Sequence, residues 1–326
     1  MPTQTAPAAE AELAQPVATH APSPALSDVV YTDRAGIAQT FDVHPATGRW
    51  APLYDGAVFV HLHGGGWRVG DKARLSVAGR LAALGVTTIS ANYTLTPDRP
   101  YPRNIDDVFD LVAFVHERQA ELGLHAQRIV LGGASSGGHL AALAATKGTA
   151  EDRLATPLGG VVSWFAPLSP SSRYLTHRYP PQQYPGGFWD RGLASGARGD
   201  DPFRAFIGTD EFAEVSLRDA WDADPRFHLD RVEASALPPF LLLSGTRDSI
   251  EIQSSQRQLF DALSWVGADV ELLTIEQADH ESPRYLSDPA QGAVTGFIRG
   301  VLDAARSEAP TPTPTSNTSN TPKEHS

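Results

Sequence analysis

Short runs rich in β-branched and other apolar residues recur through the middle of the chain: 57-AVFVHLH-63, 86-VTTISANY-93, 128-RIVLGG-133, 160-GVVSWF-165, 239-PFLLLSG-245 and 269-DVELLTIE-276. Runs of this length and composition predict buried strands. Stretches with helical spacing of apolar residues separate most of them, over 72–84, 104–121, 136–147, 252–266 and 289–306. Alternation of this kind predicts an α/β fold, with a mostly parallel central sheet, helices on both faces and right-handed crossovers. Two earlier runs, 28-DVVYT-32 and 37-IAQTFDV-43, predict an antiparallel pair at one sheet edge.

The rhythm stops between 167 and 238, where Pro, Gly and aromatic residues crowd together, as in 177-HRYPPQQYPGGFWDRG-192. The interval is too long for a plain connection. It reads as a cap-like insertion over the carboxyl edge of the sheet, where α/β folds bind ligands, with Tyr179, Tyr184, Phe188 and Trp189 as candidate lining.

The ends have a different composition. Residues 1–27 and 307–326 are dominated by Pro, Ala, Thr and Ser and hold too little apolar surface to offset chain entropy, so both are expected to be disordered. One folded unit, 28–306, lies between them. The N-terminus has neither a basic segment nor an apolar run of the signal-peptide kind, which points to a cytoplasmic protein. With 26 Lys and Arg against 38 Asp and Glu, the formal charge of −12 disfavours nucleic acid and anionic membranes as partners. Cysteine is absent, so any covalent chemistry uses oxygen or nitrogen.

In 132-GGASSGGHLAAL-143, Gly133 and Gly137 flank Ser135 at two residues on either side, between a predicted strand and a predicted helix. A chain that turns so sharply from strand to helix brings those flanking positions against each other, and only very small residues fit. The central serine is thereby held out at the top of the sheet. Ser136 is a rival nucleophile, flanked by Ala134 and Gly138; glycine at both offsets favours Ser135. A helix N-terminus merely capped by serines is the plainer alternative.

A serine hydroxyl needs a base, most often histidine. Of the 11 histidines, His280 alone follows a late predicted strand directly, on a loop that opens at the same carboxyl edge as Ser135. An imidazole base needs a carboxylate to fix its tautomer. Asp248, after the strand 239–245, opens on that edge too, with Asp279 and Glu251 as less favourable alternatives.

The three glycines of 63-HGGGW-67 follow a strand directly. Backbone N–H groups can stabilise a developing oxyanion only where the backbone itself approaches the substrate, and glycine permits that approach. Gly64 and Gly65 are the candidate donors, joined by the N–H of Ser136. His63 and Trp67 are read as buttresses of the loop, and His61 as packing. A phosphate cradle is the rival reading, but no Gly-Lys-Ser/Thr follows.

With these residues in place, the chain resembles the esterase/lipase branch of the α/β-hydrolases that includes hormone-sensitive-lipase-like and acetyl-esterase-like enzymes. The resemblance rests on 63-HGGGW-67 with 70-GDK-72, 92-NYTLTPDRPYPRNIDDV-108, 128-RIVLGGASSGGHLAAL-143, 238-PPFLLLSGTRDS-249 and 271-ELLTIEQADH-280, in family order. It implies an α/β-hydrolase fold and hydrolysis of small carboxylic esters without metal or cofactor. Ser135, Asp248 and His280 would form the triad and Gly64, Gly65 and Ser136 the oxyanion hole. An arylformamidase-like amidase and a non-catalytic ligand receptor on the same fold are the alternatives. Three departures stand out: 133-GASSGG-138 lacks the Asp common in relatives, and Glu251 and Glu281 add charge near Asp248 and His280.

Overall fold

The computed structural model describes residues 23–34, 36–75, 78–96, 99–172, 202–207 and 217–308. Eight strands form one sheet in the order β1-β2-β4-β3-β5-β6-β7-β8. They are β1 (Leu26–Arg34), β2 (Ile37–His44), β3 (Ala57–Leu62), β4 (Thr87–Ala91), β5 (Arg128–Ala134), β6 (Gly160–Trp164), β7 (Phe240–Gly245) and β8 (Val270–Ile275). The pairs β1–β2 and β2–β4 are antiparallel. From β4 through β3, β5, β6 and β7 to β8 every pair is parallel. The mostly parallel sheet and its antiparallel edge therefore match the sequence pattern.

Alternation of side chains along each strand feeds two cores. Val58, Val60 and Leu62 of β3 face one, with Ile129 and Leu131 of β5 and Phe240 and Leu242 of β7. Phe59, Val130, Leu241 and Leu243 face the other. Because both faces are covered, the central strands read as continuous apolar runs without polar alternation. Each large side chain so buried contributes roughly 1.5–3 kcal/mol, and Phe59→Ala would cost about 3–5 kcal/mol.

Helix α1 (Arg103–Glu117) and helix α2 (Ser136–Ala150) cover the first core. Helices α3 (Pro202–Ile207) and α4 (Leu217–Asp222) belong to the insertion. Helix α5 (Ile250–Val266) packs Leu259 and Leu263 into the first core and Ile252 into the second. Ser249 caps its first turn through Ile252 N, and Gly267, at φ 84°, ends it in the left-handed conformation. Helix α6 (Asp288–Glu308) covers the second core with Val294, Ile298 and Leu302. Helix α2 is buried at nearly every position, which explains its Ala- and Gly-rich sequence without a polar stripe.

The helix predicted over 72–84 is not seen among the described residues of that segment. Among the described residues of 72–84 the chain makes successive turns, with Ala78 N donating to Leu75 O and Leu81 N to Ala78 O. The apolar period is real, since Ala78, Leu81 and Ala82 are buried. Gly79 weakens the helix from within, and Arg80 is drawn across to Leu286 O and Asp288, anchors that lie outside the segment.

Of the expected N-terminal arm, residues 1–22 lie outside the described residues, and β1 already begins at Leu26. Of the expected tail, 309–326 lie outside them, while α6 runs to Glu308. Of the insertion, 173–201 and 208–216, with Tyr179, Tyr184, Phe188 and Trp189, lie outside them as well. No helix among the described residues is long and apolar enough to cross a membrane.

Candidate active site

Because β3, β5, β7 and β8 run parallel, the loops after them open at one edge of the sheet, and the predicted site residues lie on these four loops. Ser135 follows β5 with φ 51° and ψ −118°, a backbone conformation rarely tolerated outside glycine. Its strain belongs to the sharp turn into α2, and such strain persists only where the surroundings enforce it. The enforcement is steric. A Cβ on Gly133 would lie 2.4 Å from Gly137 C, and one on Gly137 would lie 2.1 Å from Leu62 O.

His280 Nε2 lies 3.1 Å from Ser135 Oγ. On the other side of the ring, Nδ1 lies 3.0 Å from Asp248 Oδ2 and 3.2 Å from Oδ1. With its proton on Nδ1, the imidazole donates to the carboxylate and leaves Nε2 to accept from the serine hydroxyl. Asp248 is buried and also accepts from Ser249 N at 2.7 Å. The ring of Phe165 meets His280 edge to face at 4.9 Å and rests in turn on Tyr285 at 4.7 Å. The rival nucleophile Ser136 turns its Oγ toward Tyr93 instead, at 3.2 Å.

The glycine loop lies against this row. A Cβ on Gly64 would stand 3.4 Å from Ser135 Cβ, so the loop backbone passes directly beside the serine. Gly65 has φ 132°, and a Cβ there would meet Val69 O at 1.9 Å, which excludes any larger residue. Gly65 O accepts from Arg68 N and Val69 N, while the N–H groups of Gly64 and Gly65 donate to no backbone acceptor among the described residues. The N–H of Ser136 is the first of α2 and has no intrahelical acceptor.

Behind the loop, His63 is buried, its Nδ1 2.8 Å from Gly64 O and its ring stacked on Tyr93 at 4.5 Å. Burial holds its pKa below the ordinary value. Tyr93 Oη donates to His63 O at 2.9 Å and lies 3.2 Å from Ser136 Oγ, tying the glycine loop to the elbow. Trp67 stacks on Phe206 of the insertion at 4.4 Å. His61 packs inside the sheet, where burial and then His63 lower its pKa to about 3. The structure thus sets Ser135, His280 and Asp248 in one row and adds Tyr93 and Phe165, which the sequence did not single out because their contacts cross the chain. Tyr93 stood inside a family motif, which was the one signal available.

The remaining histidines with described surroundings lie elsewhere. His139 is buried one turn along α2, its Nε2 2.8 Å from Ala223 O and its pKa lowered by burial to about 4. His228, with Glu151 and Asp222, makes the one cluster of potential metal ligands among the described residues, their donor atoms within 4.8 Å of one another. Lys147 Nζ already lies 2.8 Å from Glu151 Oε1 and 2.7 Å from Asp222 Oδ1. Its ammonium takes the place between the carboxylates that a cation would need, so the cluster fits an ion pair better than a metal.

The sheet order, the strained serine turn and the loops at the carboxyl edge define an α/β-hydrolase. A family model described as the alpha/beta hydrolase fold matches residues 59–283, and the chain belongs to that family. Among curated proteins it is similar to carboxylesterase NlhH of Mycobacterium tuberculosis, 38% identical over 105 residues, which is 32% of this chain and 31% of that one. It is also similar to ethyl acetate hydrolase of Pseudomonas putida, 36% identical over 108 residues, 32% of this chain and 34% of that one. The chain thus spans about a third of the length of these relatives. Among solved structures, a truncated carbohydrate esterase from gut microbiota superposes with a TM-score of 0.69 at 19% identity, covering 88% of this chain and 99% of that one; it shares the fold.

Proposed function

We propose that the protein is a serine carboxylic-ester hydrolase acting on small acyl esters. The observation that carries the reading is the continuous row Ser135 Oγ, His280 Nε2, His280 Nδ1 and Asp248 Oδ2, with separations of 3.1 Å and 3.0 Å. The names of the relatives, a carboxylesterase and an ethyl acetate hydrolase, support the same chemistry.

In this reading His280 takes the proton of Ser135 as Oγ attacks the acyl carbon, and Asp248 stabilises the imidazolium that forms. The carbonyl oxygen becomes an oxyanion and accepts from the N–H groups of Gly64, Gly65 and Ser136, each worth about 3–4 kcal/mol of barrier lowering. Collapse of the tetrahedral intermediate expels the alcohol, which takes its proton from His280. Water then attacks the acyl-enzyme with His280 as base, releasing the acid and restoring Ser135. Residues 167–238 belong to the proposal as the cap that shapes the substrate pocket, and a cytoplasmic location belongs to it as well, to be checked by cell fractionation.

Hydrolysis of p-nitrophenyl esters from acetate to decanoate by the protein and its Ser135→Ala variant tests the reading. Turnover is expected on short chains and absent in the variant. No turnover of any ester by the unmodified protein would remove the proposal and bring anilide substrates forward.

A further inference from the structure

Glu281 follows His280 directly and has φ 59°, a left-handed conformation that is costly for a residue with a Cβ. Its carboxylate lies back against the glycine loop. The point where Gly64 would carry a Cβ lies 3.4 Å from Ser135 Cβ and 3.6 Å from Glu281 Oε1. A negative charge therefore stands beside the place where the tetrahedral intermediate gathers its own. Uncompensated, it would oppose the oxyanion and favour the imidazolium form of His280 before the substrate binds.

The compensation comes from a distant part of the sequence. Glu281 Oε2 lies 2.5 Å from Arg74 Nη2, on the segment that leaves the glycine loop. On the glycine-loop side stand Asp71 and His63, and His280 and Asp279 immediately precede Glu281 in the chain. Asp248 lies behind His280. Asp71 and Arg74 both act on the His63 ring, which places the guanidinium against this wall of the site. The side chains of Arg74 and Glu281 are 48% and 35% exposed, so solvent screens the pair in part.

We propose that Arg74 is a positioning residue for the reaction: it holds and neutralises the Glu281 carboxylate, so that the oxyanion and His280 meet no net negative charge from that wall. The inference rests on the serine-esterase reading. Strain at Glu281 fits it, because an ion pair across the mouth of the site is one force that can hold a left-handed turn there.

The test is the pH profile of kcat/KM on p-nitrophenyl acetate for the wild type, Arg74→Met, Arg74→Lys, Glu281→Gln and the Arg74→Met/Glu281→Gln double variant, with thermal melts to verify folding. Arg74→Met is expected to lower kcat/KM about 10- to 30-fold and to move the acid limb up by about half a pH unit. Glu281→Gln is expected to move that limb down by a similar amount. Removing both charges returns kcat/KM to within about threefold of wild type, and Arg74→Lys keeps the wild-type limb. Equal losses in Arg74→Met and the double variant, or an acid limb that moves in neither single variant, would overturn the proposal. If Arg74→Met does not fold, the limb of Glu281→Gln decides alone. Ser135→Ala measured alongside separates this from failure of the esterase reading, which shows as wild-type turnover that does not depend on Ser135.

Discussion

Gly137 is the second residue of α2, and on helix propensity alone an alanine there would stabilise the protein by about 1 kcal/mol. Its surroundings reverse the sign. An added Cβ would lie 2.1 Å from Leu62 O and 2.6 Å from His63 O, both backbone atoms where β3 enters the glycine loop. Ordinary contact needs about 1 Å more, so helix and loop must move apart, at a cost of about 1–3 kcal/mol for overpacking. The same displacement separates the N–H of Ser136 from those of Gly64 and Gly65, and a misplacement of about 1 Å costs roughly 100-fold in rate. Gly296 in α6 is the control, since a Cβ there meets nothing within 4 Å. Urea unfolding and ester hydrolysis of both alanine variants, run beside the wild type, make the comparison. Gly137→Ala is expected to lose about 1–3 kcal/mol and about 100-fold in kcat/KM. Gly296→Ala should gain roughly 0.5–1 kcal/mol with activity unchanged. A Gly137→Ala protein as stable and as active as wild type would refute the steric coupling of elbow and loop.

Further outcomes follow from the buried polar groups. Burial holds His139 at a pKa of about 4 and His61 at about 3, and both titrate near 6.5 when unfolded. The unfolded chain then binds more protons below that value, so stability is complete above about pH 7 and falls as pH drops toward the folded values. Each ring accounts for roughly 2 kcal/mol between pH 7 and pH 5, measurable by urea unfolding at the two pH values. His61→Phe should remove the share of that ring, roughly 2 kcal/mol, from the drop, and the substitution strands no partner because neither ring nitrogen of His61 has one among the described residues. Tyr93→Phe leaves His63 O without its donor and should cost about 1–3 kcal/mol; because the loop loses its tie to Ser136, kcat should fall roughly tenfold with little change in KM.

The central strands were legible because their apolar runs are explained by burial on both faces, as Val58 and Phe59 pointing into opposite cores illustrate. Ser135, Asp248 and His280 were legible because a parallel sheet delivers every loop after a strand to one edge, so position after a strand stood in for position in space. The segment 72–84 misled because helical spacing of apolar residues also suits a chain of turns pinned from outside by Arg80. Tyr93, Phe165 and the Arg74–Glu281 pair were not legible. Their roles depend on contacts between segments 30 to 207 residues apart, which no local pattern encodes. Glu281 did stand out as an unexpected charge, but its partner did not.

The most direct measurement is the covalent trapping of the nucleophile by an organophosphonate, read by intact mass and peptide mapping. One adduct per chain is expected, on Ser135, with none in Ser135→Ala and a strongly slowed reaction in His280→Ala. An adduct on Ser136, or a protein that stays unlabelled while folded, would contradict the assignment of Ser135 as a nucleophile activated by His280.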